Sequence, residues 1–300
     1  MTDPTSDSLL SRFARAAGSL MPASWRRDVP VVPVVRLSGA IGMATPFNPG
    51  LSLATVSRNL ERAFAVKKAP AVALIINSPG GSPVQSHLIF KRIRSLAKEK
   101  DKHVFAFVED VAASGGYMIA CAADEIFADP SSVVGSIGVV SAGFGFNRLI
   151  DRIGIDRRVH TAGTRKVMLD PFRPERPEDV ERLLALQADV HRMFIDLVRE
   201  RRGAILNGPE ETLFSGEFWV GTQAEDLGLI DDLGDLRTVL RARYGDKVRT
   251  PLVAQGGWWP RRVGVGSGRL EALAPAFGAG VADAALARLE ERVLWSRYGL

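Results

Sequence analysis

The apolar residues of this chain change period several times along its length. In "APAVALIINSPGG" (residues 69–81) they form a short continuous run that ends at a Pro-Gly-Gly turn, the pattern of a strand buried on both faces. In "SPVQSHLIFKRIRSLAKEK" (82–100), Val84, Leu88, Ile89, Ile93 and Leu96 recur at helical spacing and predict an amphipathic helix. A second buried strand follows in "HVFAFVED" (103–110), then a short apolar helix in "SGGYMIACAAD" (114–124), then strand, turn and strand in "EIFADPSSVVGSIGVV" (125–140). "VPVVPVVRLSGAIG" (29–42) is strand-like, "FNRLIDRIG" helical and "DRRVHTAG" extended. "PEDVERLLALQADVHRMFIDLVRERRG" predicts a long helix with Val180, Leu183, Leu184, Leu186, Val190, Met193, Phe194 and Leu197 on its apolar side, stopped by Gly203. "GTQAEDLGLIDDLGDL" (221–236) reads as a final helix-turn-helix.

Strands alternating with helices indicate an α/β domain with a mainly parallel sheet. In such sheets ligands bind at the carboxyl ends of strands, and two of these ends carry glycine turns: "NSPGGS", Asn77 to Ser82, and "AASGGY", Ala112 to Tyr117. A helix start adds unpaired N–H groups and partial positive charge. Ser114 stands where a nucleophile is wanted, and the N–H groups of Gly81 and Gly115 are candidate donors to a developing oxyanion. Each such donor is worth about 3–4 kcal/mol in a transition state. Either turn alone is ordinary packing; the pair at successive strand ends carries the catalytic reading.

A serine needs a base at neutral pH. The histidines fit poorly: His87 and His191 fall mid-helix, His103 begins a strand, and the only other one is His160. Lysine remains, and Lys166 in "HTAGTRKVMLDPF" follows a glycine turn amid Val167, Met168 and Leu169. A free lysine has a pKa near 10.4, so only a desolvated one can act as a base. On the residues alone, a solvated surface lysine is the commoner reading of this position.

Taken together, "INSPGGSP", "AASGGYMIACAADEIFADPSSVVGSIGVV", "AGTRKVMLDPFRP" and "FSGEFWVGTQAEDLGLIDDLG", in that order over roughly residues 31–240, resemble the signal peptide peptidase A family (SppA/SohB-like, peptidase family S49). These are serine peptidases with a Ser–Lys dyad. The resemblance implies a Clp protease/crotonase-like ββα superhelix. It puts the nucleophile at Ser114, the general base at Lys166, the oxyanion donors at Gly81 and Gly115, and a substrate-binding glycine at Gly80. Ser136, in "VGSIGVV", matches a serine that helps hold the lysine ammonium; read without the family it is a turn residue bonding its own backbone. The family also implies a homo-oligomer in which neighbouring subunits complete each site, with peptides such as cleaved signal peptides as substrate and no cofactor. On this reading residues 30–245 are the peptidase domain, 1–29 an N-terminal extension and 246–300 a C-terminal extension with a terminal helix.

Composition narrows the alternatives. The chain has 300 residues, 46% hydrophobic and 24% charged, enough for a sizeable core. The one cysteine, Cys121, excludes an internal disulfide and reads as a buried structural thiol. A net charge of +5 with a pI near 9.6 is dispersed along the chain and accompanied by no nucleic-acid motif, so no nucleic-acid partner is expected. There is no HExxH and no Cys or His cluster, hence no expected metal.

Many members of the family begin with a transmembrane anchor, and no stretch here approaches a span. The expectation is therefore a cytoplasmic protein, with any membrane contact peripheral at the inner face of the bacterial plasma membrane through an amphipathic N-terminus (Leu9, Leu10, Phe13, Ala16, Leu20, Trp25). Two other functions fit the same pattern less well. A crotonase-like acyl-CoA enzyme would use the two N–H groups on a thioester and leave Ser114 idle. A non-catalytic scaffold would bind membrane or peptides through the terminal helices.

Overall fold

The computed structural model describes residues 29–43, 50–163, 165–253 and 292–299. The amphipathic N-terminus and most of the expected C-terminal extension lie outside them. The elements run β1 (Val34–Ser38), α1 (Leu53–Phe64), β2 (Ala71–Ser78), α2 (Pro83–Lys100), β3 (His103–Ala113), α3 (Gly115–Ala120), β4 (Glu125–Ala128) and β5 (Val133–Gly135). They continue with α4 (Asn147–Arg152), α5 (Pro177–Arg202), α6 (Glu210–Leu213), β6 (Phe218–Val220), α7 (Gly221–Asp226), β7 (Asp232–Leu233) and α8 (Leu236–Tyr244). This is the expected α/β architecture, with a mainly parallel sheet in the order β1-β2-β3-β4-β7.

β3 is the spine. Its first half, Phe105–Val108, pairs with β4, and its end, Val111–Ala113, pairs with β5. β5 in turn pairs antiparallel with β6. Against β2 the register jumps, from Ile76 opposite Val108 to Ser78 opposite Ala112. The surplus backbone of β3 is stitched by one side chain: Asn77 Nδ2 donates to Asp110 at 2.6 Å, and its Oδ1 accepts from the Val111 N–H at 3.3 Å. Such irregularities re-aim the chain beyond them, and here the re-aimed end leads into α3.

Alternation along the strands sorts the core into two layers. Val72, Leu74 and Ile76 of β2 face the layer of α1, α2, α3 and the second half of α5, with Leu60, Phe64, Ile89, Ile93, Tyr117 and Phe194. Ala71 and Ala73 face the opposite side, where Phe105, Phe107 and Phe127 stack under Leu240 of α8. Phe107 and Phe127 lie 5.4 Å apart, and Tyr244 meets Phe105 edge-on. Cys121 is fully buried behind α3, where burial pushes its thiol up to about 12.

The sequence-based expectations are corrected in four places. "DRRVHTAG" carries no regular strand. Gly203 stands at the end of α5 but in right-handed conformation (φ −52°), bonded to Arg199 O, so its left-handed freedom is not what ends the helix. The apolar side of α5 is covered only in its second half; Leu184 and Leu186 are exposed. The turn of the expected helix-turn-helix is β7, paired with β4. Beyond α8, residues 249–253 run beside β1: the Val32 and Val34 N–H groups donate to Arg249 and Pro251 carbonyls, and the Val253 N–H donates to Val34 O. The sheet therefore extends past residue 245.

Asp124 ties this body together. Half-buried, it accepts from the Val104 N–H at 2.9 Å, Arg94 at 2.7 Å and Arg201 at 3.2 Å, joining β3, α2 and α5. Burial alone would raise its pKa; the Val104 N–H and the Arg94 guanidinium outweigh that and hold it below 3.8. A depressed carboxyl contributes stability above its unfolded pKa and loses it as pH falls through the folded value. Asp124→Asn should therefore lower unfolding stability at neutral pH by about 2 kcal/mol in urea titrations. The deficit should shrink once the pH is below the folded-state value; a constant deficit would refute the assignment.

Candidate active site

β3 ends at Ala113 and α3 begins at Gly115, so Ser114 alone makes the corner. Its backbone stands at φ 51°, ψ −120°, a conformation that costs a residue with a side chain on the order of 1–3 kcal/mol. The surroundings hold it there. Its N–H donates to Gly135 O at 2.8 Å, its carbonyl accepts from Met118 at 3.0 Å, and every residue of α3 is buried. The hydroxyl makes no capping bond, and the residue is only partly buried. A serine on a sharp strand-to-helix turn at the top of a sheet presents its oxygen to an incoming substrate.

The second glycine turn lies against this corner. Ile41 brackets it, donating to Gly80 O and accepting from the Ser82 N–H, both at 2.8 Å. Gly80 has φ 98°, and a Cβ there would lie 2.8 Å from Ser114 Cβ and 3.0 Å from Gly115 N. The bare face of Gly80 thus borders both the serine and the first amide of α3. The Gly80 N–H itself donates to Ser78 Oγ at 3.2 Å. The N–H groups of Gly81 and Gly115 have no acceptor among the described residues. Gly116 completes the contact: a Cβ on it would stand 2.5 Å from Ser78 O.

Ser136 follows β5, buried, at φ 53°. Its N–H donates to Glu217 O at 2.6 Å and its carbonyl accepts from Gly138. Its hydroxyl does not bond its own backbone; the partner is Tyr298, whose hydroxyl lies 3.4 Å away. The neighbouring Ile137 carbonyl is 3.0 Å from His191 Nε2 on α5. Ser114 and Ser136 are thus linked through Gly135, which separates their backbones by one peptide unit and one hydrogen bond.

Lys166 makes no hydrogen bond to either serine among the described residues. It is exposed on a turn whose backbone bond is Lys166 N–H to Gly163 O at 3.3 Å, and its ammonium has no partner among the described residues. It belongs to an arm that folds on itself through Asp170. That side chain is 1% exposed, bonded to the Phe172 N–H and 3.1 Å from Arg157, which lies over the Phe172 ring. The histidines take other roles. His103 pairs with Glu125 at 2.9 Å, His87 stacks on Phe90 with burial lowering its pKa, and His160 is exposed. Among the described residues no cluster of His, Cys, Asp or Glu is placed to hold a metal. No described helix is long and apolar enough to cross a membrane. His191, Glu217 and Tyr298 escaped the sequence reading because their contacts here join residues far apart in the chain, which no local pattern announces.

A mainly parallel α/β fold with a strained serine at a strand-to-helix corner, and acceptor-free amides at Gly115 and in the neighbouring turn, has the parts that a nucleophilic hydrolase uses. The model of peptidase family S49 matches residues 96–248, and the chain belongs to this family. It is 32% identical over 272 residues to the putative protease slr0021 of Synechocystis, covering 89% of this chain and 91% of that one. It is 33% identical over 226 residues to the chloroplastic serine protease SPPA of Arabidopsis thaliana, covering 74% and 33%. A Brucella abortus protein called Na(+)/H(+) antiporter NhaA is 57% identical over 287 residues, covering 94% of this chain. This chain spans only 38% of that protein's length.

The close approach of the two turns is open to a direct check. Gly116→Ala pushes a methyl into backbone and should cost about 1–3 kcal/mol of stability in urea unfolding. Gly143→Ala, where a Cβ meets nothing within 4 Å, should stay within about 0.5 kcal/mol of the parent chain.

Proposed function

We propose that the chain is a serine endopeptidase that hydrolyses apolar-rich peptides with a Ser–Lys dyad. The observation that carries the reading is the strained Ser114 corner with the acceptor-free Gly115 amide on the bare face of Gly80 and the acceptor-free Gly81 amide in the same turn as Gly80. Neutral Lys166 takes the proton from Ser114 as its oxygen adds to the peptide carbonyl. The Gly81 and Gly115 N–H groups receive the oxyanion. The lysine then protonates the departing amine, and water, deprotonated by the same group, releases the acyl chain from Ser114. Ser136 offers the ammonium a hydroxyl acceptor. A peptidase domain that starts near residue 30 and takes in residues 249–253 beyond the expected limit at 245, and a signal-peptide-like substrate, belong to the same proposal, as does the serine-protease activity named for the Arabidopsis relative.

A base exposed to water cannot do this work, so the proposal includes assembly. The arm carrying Lys166 exposes Val140, Phe144, Leu149 and Ile153 at 52–80% of their surface, far more apolar surface than a free arm leaves uncovered at little cost. A second copy of the chain is the occupant that would both cover these residues and bring Lys166 to a neighbour's Ser114.

Three measurements test this. Ser114→Ala and Lys166→Ala should each abolish hydrolysis of an apolar peptide, and full activity in either overturns the mechanism. Co-expressing the two dead variants in equal amounts should restore about a quarter of parental activity, because that fraction of all shared sites pairs an intact serine with an intact lysine. No restoration means that each chain uses its own lysine. Gly80→Ala should cut acylation of Ser114 by a fluorophosphonate roughly a hundredfold.

A further inference from the structure

The turn that lies against Ser114 carries three N–H groups, on Gly80, Gly81 and Ser82, and each has a different fate. Ser82 donates to Ile41 O at 2.8 Å. Gly80 donates to Ser78 Oγ at 3.2 Å. Gly81 has no acceptor among the described residues. The direction of that free N–H is set from its own peptide plane. Gly80 O, on the same plane, accepts from the Ile41 N–H at 2.8 Å, and in a trans peptide the N–H points opposite to the C=O. The bonds through Ile41 run from backbone to backbone, whereas the Gly80 N–H relies on a side chain.

Ser78 closes β2 and is fully buried. Its hydroxyl has two neighbours of fixed role. Gly39 O, 2.7 Å away, accepts and so takes the hydroxyl proton. The oxygen's lone pairs are left for the Gly80 N–H. This relay ties the segment after β1, which also carries Ile41, to the turn after β2. Resting on the peptidase reading, we infer that Ser78 is a positioning residue for the oxyanion donors: its hydroxyl engages the Gly80 N–H, so that Gly81 alone of this turn offers an amide to the substrate. Gly80 and Gly81 stand at φ 98° and 137°, where the glycine backbone turns with little resistance. Without the hydroxyl, a buried donor loses its acceptor, a loss that a mobile turn relieves by swinging the group elsewhere. The bare face of Gly80 borders Ser114 Cβ and Gly115 N, so any such swing is felt at the nucleophile. A misplacement of about an ångström removes most of what an oriented donor contributes.

Ser132 supplies the comparison. It is also buried, its oxygen accepts from the Asp129 N–H at 3.1 Å, and its hydroxyl donates to Glu109 O. The chemistry is the same, but neither partner belongs to a glycine turn.

The test uses the full-length chain and its Ser78→Ala, Ser78→Thr and Ser132→Ala variants, with an acetylated trileucine aldehyde and the corresponding alcohol as probes. Ser114 Oγ adds to the aldehyde carbon as its proton passes to the base, and the carbonyl oxygen takes the charge. The alcohol binds without that step. Ser78→Ala should weaken aldehyde binding about ten- to a hundredfold and leave alcohol binding level. It should lower kcat for peptide hydrolysis by the same factor at constant KM. In glycine-labelled chains, exchange of the Gly80 amide should quicken about tenfold. Ser78→Thr, which keeps the hydroxyl, should restore all three, and Ser132→Ala should leave the aldehyde-to-alcohol ratio at the parental value. An unchanged ratio in Ser78→Ala, an equal loss for both probes, or the same fall in ratio in Ser132→Ala overturns the inference while the peptidase reading stands. A parent chain that forms no aldehyde adduct sinks both.

Discussion

The site exists because two backbone turns lie in van der Waals contact, Pro79–Ser82 against Ala113–Gly116. Side chains at Gly80 and Gly116 would stand 2.8 Å from Ser114 Cβ and 2.5 Å from Ser78 O, and would force the turns apart. With the side chains absent, the bare face of Gly80 lies against Ser114 and the first amide of α3. The strain at Ser114 is small beside what surrounds it. Tyr117, Met118 and Ile119 are essentially withdrawn from water, each contributing about 1.5–3 kcal/mol. The body of the protein thus holds the serine in a conformation the residue would not choose.

Around that contact the molecule divides into a stiff body and an arm. The body is the sheet with helices on both faces, cross-tied by Asp124 and by Tyr117, whose hydroxyl donates to Leu229 O at 2.8 Å. The arm, from Val139 to the first half of α5, has α4 as the only other regular element among its described residues and organises itself around Asp170. The proposed nucleophile and oxyanion donors sit on the body, and the proposed base sits on the arm. On that proposal each chain holds half a site, which a second copy would complete. His191 connects the parts, since α5 carries it from the arm to the Ile137 carbonyl beside Ser136.

Much of the body was legible in the sequence because its signals are local. The unbroken apolar run of β2, the helical spacing of α2 (where Ile89, Ile93 and Leu96 are buried as read, though Val84 and Leu88 are exposed), and the serine before two glycines each report on neighbouring residues. The elements that were missed depend on distant partners. β6 is three residues long and exists through pairing with β5, and residues 249–253 extend the sheet only because β1 offers a free edge. The long helix was read as amphipathic throughout, yet burial follows contact rather than pattern, and its first half meets no core. Lys166 shows the same limit at the site. On the residues alone it reads as a solvated surface lysine, and within one chain it is exposed although Val167, Met168 and Leu169 beside it are half-buried; what a second copy would cover is in no local pattern.

The chain's single cysteine, Cys121, lies wholly inside the body, with its thiol pushed up to about 12. Thiolates, not thiols, react with alkylating and disulfide-forming reagents, so the folded protein is chemically silent toward them. Any cysteine placed on its surface becomes the sole addressable point. Dyes, spin labels or cross-linkers can then be attached to the arm or the terminal segment of the otherwise native chain, without first removing a background thiol.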